Sequence, residues 1–211
     1  MAWDEASLEG AHARGAPLLR FYGWKEAAAT FGYFQRFEAI AGMTALRPLL
    51  RRPTGGGLVL HDADWTYSLA VPPGHPWHGL KAVESYEGMH EWVRLAFDRV
   101  GTRTELAATA LPGRPGQCFA GAERFDVLQQ GLKIAGAAQR RNRHGLLIQG
   151  SVRPGPGVEY SRETWQRAMQ EVAASLWGVR WESFVPGAAL RARVSELAGA
   201  KYGRTDYNAK R

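Results

Sequence analysis

The 211-residue chain has a single cysteine, Cys118. No intrachain disulfide can form, which excludes a disulfide-stapled scaffold. The chain also lacks any run of about 18 consecutive apolar residues, the length a membrane-spanning helix needs. Its first residues, MAWDEASLEG, are acidic and do not form a basic flank followed by an apolar stretch, which argues against a secretory leader. A cytoplasmic protein with no membrane contact is the expectation. Tandem repeats and low-complexity tracts are missing. His75 and His78 lie beside prolines with no Cys, Asp or Glu partner at metal-ligand spacing, so no metal site is expected.

What is present is ordinary globular composition, with 45% hydrophobic and 22% charged residues. The length suits one domain over residues 1–211. Lys and Arg total 27 against 20 Asp and Glu, a net charge of +7 that favours an acidic partner. The basic run QRRNRH at 139–144 reads as a hairpin turn. It is short and lacks interleaved aromatics, so a solvated turn or a docking surface for an acidic protein explains it as well as a nucleic-acid patch does.

Patterning predicts helices over 2–13, over 77–100, after Ser161 and from Pro186. The helix over 77–100 carries Val83, Tyr86, His90, Val93, Phe97 and Val100 at steps of three or four. The helix capped by Ser161 turns Trp165, Met169, Val172 and Leu176 inward, and the last turns Leu190, Val194 and Leu197 inward. Strands are expected at 18–22, 30–34, 58–60 and 66–71. Those at 125–128, 133–138 and 146–152 form a meander turning at Gly131 and at 142–145. Strands and helices mix without βαβ alternation, which predicts an α+β fold with a largely antiparallel sheet.

Three segments stand out. RRPTGGGLVLHD at 51–62 offers two arginines able to pair with an anion and three glycines, Gly55, Gly56 and Gly57, that let backbone N–H groups approach a ligand. It is neither GxxxxGK[ST] nor GxGxxG, and a plain surface turn is the alternative. His61 and Asp62, adjacent on a strand, point to opposite faces and should not pair. Cys118, in GQCF, is either a small buried hydrophobe or a nucleophile needing a nearby positive charge. Lys133 lies in the apolar strand GLKIAGAA, with Leu132 and Ile134 sharing the opposite face. It points either to solvent or into a cleft where its ammonium meets developing oxyanion charge. Gly136 and its small neighbours leave room for a narrow ligand there.

Taken together, RRPTGGGLVLHD, CF, FDVLQQGLKIAGAAQRR and LIQGSV, with MAWDEASL, LLRFYGWKEAAATFGYFQ and the tail LAGAKYGRTDYNAKR, resemble the biotin/lipoate A/B protein ligase superfamily. The likeness covers most of the chain and is nearest to the cysteine-dependent octanoyltransferases. It implies flanking helices and a sheet that form an acyl tunnel, as in lipoate and biotin ligase catalytic domains, lined by Arg52, Thr54, Gly55, Gly56, Gly57, His61, Gly136 and Ala137. Cys118 becomes the acyl-enzyme nucleophile and Lys133 the lysine of the G-x-K-[IV]-x-G motif.

The implied reaction moves octanoyl from acyl carrier protein to the lysine of a lipoyl domain of a 2-oxoacid dehydrogenase or of glycine-cleavage H protein. It needs no cofactor, and a monomer is expected. The alternatives are an ATP- and Mg-using lipoate ligase, an amidotransferase relaying acyl groups from H protein, and an inactive acyl-binding homologue. At this length the accessory domain that ligases often carry is not expected. Four departures stand out. Gln149 replaces the usual His of L-Q-H-G-S, Ala137 replaces a common Ser, Leu132 replaces a common Arg or Lys, and the chain is expected to lack the strand that relatives usually carry before the first helix.

Overall fold

In the computed structural model, residues 1–113 and 119–210 are described. The elements run α1 (Ala2–Arg14), β1 (Leu18–Tyr22), β2 (Ala28–Phe31), α2 (Phe37–Ala41), β3 (Leu49–Arg51), β4 (Val59–His61), β5 (Trp65–Val71), α3 (Pro76–Gly79), α4 (Ala82–Arg99), β6 (Glu105–Leu106), β7 (Val127–Gln129), β8 (Leu132–Asn142), β9 (Gly145–Val152), α5 (Arg162–Trp177), α6 (Ala188–Leu197), a π-helical turn (Ala198–Tyr202) and α7 (Thr205–Asn208). A six-stranded sheet has the order β1-β5-β9-β8-β7-β6, and a three-stranded sheet the order β3-β2-β4. All pairs of the larger sheet are antiparallel. In the smaller one, β2 runs parallel to β3 and antiparallel to β4. The fold is α+β, as expected, with a largely antiparallel sheet.

Period-two alternation divides the large sheet into two faces. Tyr67, Leu69 and Val71 of β5, with Leu146, Ile148 and Val152 of β9, point toward α4 and α5. Those helices answer with Met89, Trp92, Val93, Ala96 and Phe97, and with Trp165, Ala168, Met169 and Val172. Burying each such large side chain is worth about 1.5–3 kcal/mol, and this face holds the main core. Ser161 accepts from the Thr164 N–H to start α5, and Gly178 at φ 63° ends it.

The opposite face follows the register. Leu147 pairs with Ala70, Gln149 with Ser68, and Ser151 with Thr66. Leu8 and Ala11 of α1 cover Leu147 and Ala70. The polar remainder, Thr66, Ser68, Gln149 and Ser151, is buried on the same face.

Several element expectations shift. The second strand lies at Ala28–Phe31 rather than 30–34. β3 was not foreseen, because three residues carry too little pattern. The stretch 77–100 divides at Leu80 into α3 and α4. Leu176 is exposed rather than inward, and Ala173 takes the last buried position of α5. The basic run is mostly strand, because β8 continues to Asn142 and only Arg143 and His144 turn. Among the described residues no helix is long and apolar enough to cross a membrane.

Candidate active site

A cleft, open at its mouth, is lined by residues of both sheets. β8 and β9 supply Lys133, Gly136, Ala137, Ala138, Gln149, Gly150 and Ser151. The smaller sheet and the loop after β3 supply Thr30, Arg52, Val59 and His61, and Phe119 also lines the cleft.

Lys133 enters the cleft because β8 bulges. Leu128 of β7 pairs with Lys133, and Val127 with Ala135, so Ile134 is an extra residue in the ladder. In a regular strand Lys133 and Gly136, three apart, would lie on opposite faces. The bulge puts them on one face. Leu132 and Ile134 share the opposite face, as expected, although Leu132, at the start of β8, is 66% exposed and Ile134 2% exposed. The Lys133 ammonium lies 2.7 Å from Oδ2 of Asp126, which is fully buried. Oδ1 of Asp126 accepts from the Tyr86 hydroxyl at 2.6 Å, and its Oδ2 from the Glu123 N–H at 2.6 Å. A Cβ at Gly136 would sit 2.7 Å from Lys133 Cε, so the glycine is the space through which the lysine passes.

The opposite wall is a chain of hydrogen bonds. Arg52 donates to Thr30 Oγ1 at 2.9 Å, which leaves the Thr30 hydroxyl proton for Nε2 of His61 at 2.8 Å. Nδ1 of His61 donates to Oδ2 of Asp64 at 2.8 Å. The same oxygen accepts from Ser151 at 2.6 Å and Thr66 at 3.1 Å. Burial lowers the His61 pKa below 6.5 against the pull of Asp64, and the charges of Arg52 and Arg153 add to the lowering. Burial pushes Asp64 up, but the bonds from His61, Ser151 and Thr66 prevail and hold it below its usual value. The Trp24 ring stacks on His61 at 4.1 Å. A neutral imidazole with both nitrogens engaged is a wall, not a free base.

Gln149 accepts from Thr54 Oγ1 at 2.7 Å and donates to Asp4 Oδ2 at 2.7 Å. It thereby ties the glycine-run loop to α1. Burial raises the Asp4 carboxyl, but the N-terminal charge, Arg20, Ser68 and Gln149 outweigh it and leave the pKa lowered.

Of the residues expected at the site, Arg52, His61, Lys133, Gly136 and Ala137 line the cleft together. Thr54, Gly55, Gly56 and Gly57 do not line it, and Thr54 reaches it only through Gln149. The Gly55 and Gly57 carbonyls accept from Arg52 at 2.8 and 2.9 Å, so part of the loop's polarity is directed at the protein. Arg51 is fully buried and donates to the carbonyls of Tyr33, Gln35 and Asn208. It is a clamp on the chain's own backbone. Cys118 lies outside the described residues. Sequence reasoning rightly separated His61 from Asp62, which pairs with Arg153 at 2.6 Å. It missed Asp64 and Asp126. The first was legible as a carboxylate three residues past His61 across a polar turn. The second had no local signal beyond FD before the lysine strand.

Across its full length the chain superposes on a putative lipoate protein ligase from Thermoplasma acidophilum, with TM-score 0.82, 92% of that chain covered and 19% identity. That likeness speaks to the fold. In sequence, the chain is 35% identical over 167 residues to octanoyltransferase LipM of Anoxybacillus flavithermus, covering 72% of this chain and 59% of that protein. It is 34% identical over 165 residues to octanoyltransferase LipM of Bacillus subtilis, with 72% and 59% covered. It therefore spans about three-fifths of the length of these relatives. Residues 1–164, which contain the cleft walls, the bulged lysine strand and the arginine-glycine loop, match the lipoyl protein ligase A/B catalytic domain, and the chain belongs to that family.

Proposed function

We propose that the chain is an octanoyltransferase of protein lipoylation. It would take octanoyl from acyl carrier protein and pass it to the lysine of a lipoyl domain or H protein through a thioester on Cys118. The observation that carries this reading is the Lys133 ammonium, held in the cleft of a chain whose relatives are octanoyltransferases by name. Phe119, next to Cys118 in sequence, lines the same cleft, with its ring 5.3 Å from the Lys133 ammonium.

In the first step the Cys118 thiolate attacks the carrier thioester carbonyl. The tetrahedral oxyanion collapses, and the carrier leaves as a thiol after taking up a proton. In the second, the acceptor's neutral ε-amine attacks the octanoyl-cysteine thioester. An amide forms, the amine proton is lost, and Cys118 is released. Lys133 supplies a fixed positive charge for both oxyanions. A thioester is already activated, so this route consumes no ATP. The net charge of +7 suits acidic carriers and acceptors.

Intact mass after incubation with octanoyl-acyl carrier protein should show one octanoyl adduct on the wild type and none on Cys118→Ser. An equal adduct on both proteins would defeat the covalent scheme. Free octanoate or lipoate with ATP, supplied instead, tests the ligase alternative, and AMP release with acceptor modification would establish it. Octanoyl-H protein as donor tests the relay between acceptors.

A further inference from the structure

We infer that Asp126 is the positioning residue of the cleft. It fixes the Lys133 ammonium over Gly136, and α4 in turn fixes Asp126 through Tyr86. The inference rests on the proposed transfer and on a chain of contacts leading inward from Lys133.

A lysine side chain has four rotatable carbons and a strongly hydrated head, so by itself it defines no point in space. Here the head is nearly buried, with 7% of the side chain exposed, and Asp126 is wholly buried. The contacts of Asp126 serve orientation. Oδ2 takes Lys133 at 2.7 Å and the Glu123 N–H at 2.6 Å, and Oδ1 takes Tyr86 at 2.6 Å. Tyr86 packs edge-on against His90 at 4.2 Å, and His90 Nδ1 donates back to the Tyr86 carbonyl at 3.0 Å. The rigid helix α4 therefore reaches the cleft through one hydroxyl and one carboxylate. The β8 bulge and the absent Cβ at Gly136 complete the arrangement, since both are needed for Lys133 to meet Asp126 from the cleft face. A buried carboxylate on an ion pair needs all its partners, and this one has them. It therefore sets the direction of the charge that a reacting carbonyl would meet.

The test combines kinetics with a direct view of the ammonium. The chain has five lysines, so ¹⁵N-lysine labelling gives few side-chain NH₃⁺ signals, and Lys133→Arg assigns the one of interest. Asp126→Asn keeps the shape and removes the charge. Tyr86→Phe removes only the hydroxyl behind it. Expected is a slowly exchanging Lys133 NH₃⁺ signal in the wild type that survives in Tyr86→Phe and vanishes in Asp126→Asn. With it, kcat for octanoyl transfer should fall about 100-fold in Asp126→Asn and several-fold in Tyr86→Phe, with KM for the carrier unchanged. Near-normal kcat in a folded Asp126→Asn protein would overturn the inference. So would a rise in KM alone, or a Lys133 signal indifferent to Asp126. If the wild type transfers no octanoyl at all, the functional reading fails, and the NH₃⁺ signals then decide the positioning on their own.

Discussion

Gly136→Ala is the smallest change that separates the fold from the lysine geometry. An alanine Cβ there would lie 2.7 Å from Lys133 Cε, 2.8 Å from its Nζ and 3.2 Å from Asp126 Oδ1. Gly136 is not among the glycines with positive φ, so alanine brings no backbone strain. What must yield is the end of a flexible side chain, and its movement breaks the 2.7 Å contact with Asp126. The cost to folding is that of one charge-assisted hydrogen bond, about 1.5–3 kcal/mol, because the lysine is displaced and not removed. The displaced ammonium can swing toward the open mouth and recover water, while Asp126 keeps Tyr86 and Glu123. A loss near the low end lowers Tm by roughly 3–6 °C for a chain of this size. The cost to transfer is that of one misplaced oxyanion donor, about 2.7–4 kcal/mol or 10²–10³ in rate. Octanoyl transfer to an apo lipoyl domain, timed by mass spectrometry beside a thermal melt, measures both. Wild-type turnover in Gly136→Ala would refute the role given to Lys133. A loss of rate matched by a collapse of the melt would refute the claim that only the side chain moves.

Three further outcomes follow from the buried groups. Burial holds His90 down at about 4 against an ordinary 6.5, so between those values the unfolded chain binds a proton that the folded one does not. Stability is then full above pH 6.5 and is lost as pH falls toward 4, by roughly 3 kcal/mol at about 1.4 kcal/mol per pH unit. Urea midpoints across that range should show the slope, and His90→Leu should remove most of it, leaving the smaller share of His61, whose pKa is lowered for the same reason. Asn208→Ala strips the Arg51 N–H of its 2.8 Å acceptor and should cost about 1–3 kcal/mol in chemical denaturation, although Asn208 is far from Lys133 in sequence. Gly32→Ala would drive a Cβ to 1.9 Å from the Gly56 carbonyl oxygen, a backbone clash that no rotamer relieves. It should reach or pass the upper end of the ~1–3 kcal/mol typical of overpacking, and an unchanged melt would show that the loop is not held there.

Long periodic elements were legible in the sequence. The helix pattern through Tyr86, His90, Val93 and Phe97 is α4, and the alternation around Gly145 is β9. The smaller sheet was only partly legible, because β3 has three residues and is recruited by its parallel neighbour β2. The bulge at Ile134 left no trace, since a period-two reading assumes that nothing is inserted. The glycine run was recognisable as a close approach of backbone, but its partner was not. The sequence suggested N–H groups facing a ligand, whereas two of its carbonyls meet Arg52. Which end of a peptide group faces inward depends on a side chain three and five residues away, not on the glycines.

The cleft wall raises an apparent conflict between its residue types and its proposed ligand. Thr30, Thr66, Gln149, Ser151 and His61 are polar, yet an octanoyl chain is apolar. The hydrogen bonds resolve it. Thr30 lies between Arg52 and His61, Ser151 and Thr66 both donate to Asp64, and Gln149 is held from both sides by Thr54 and Asp4. A polar group already partnered loses little when water leaves, whereas an unpartnered one would cost about 1–3 kcal/mol. Side-chain hydrogen bonds also join the two sheets, through Thr54 to Gln149, Ser151 to the Asp64 that holds His61, and Arg153 to Leu60. Polar pairs thus set the spacing between the sheets and leave the carbon of their own side chains toward the cleft. The charge that remains directed into it is concentrated at Lys133, where a thioester carbonyl would have to arrive.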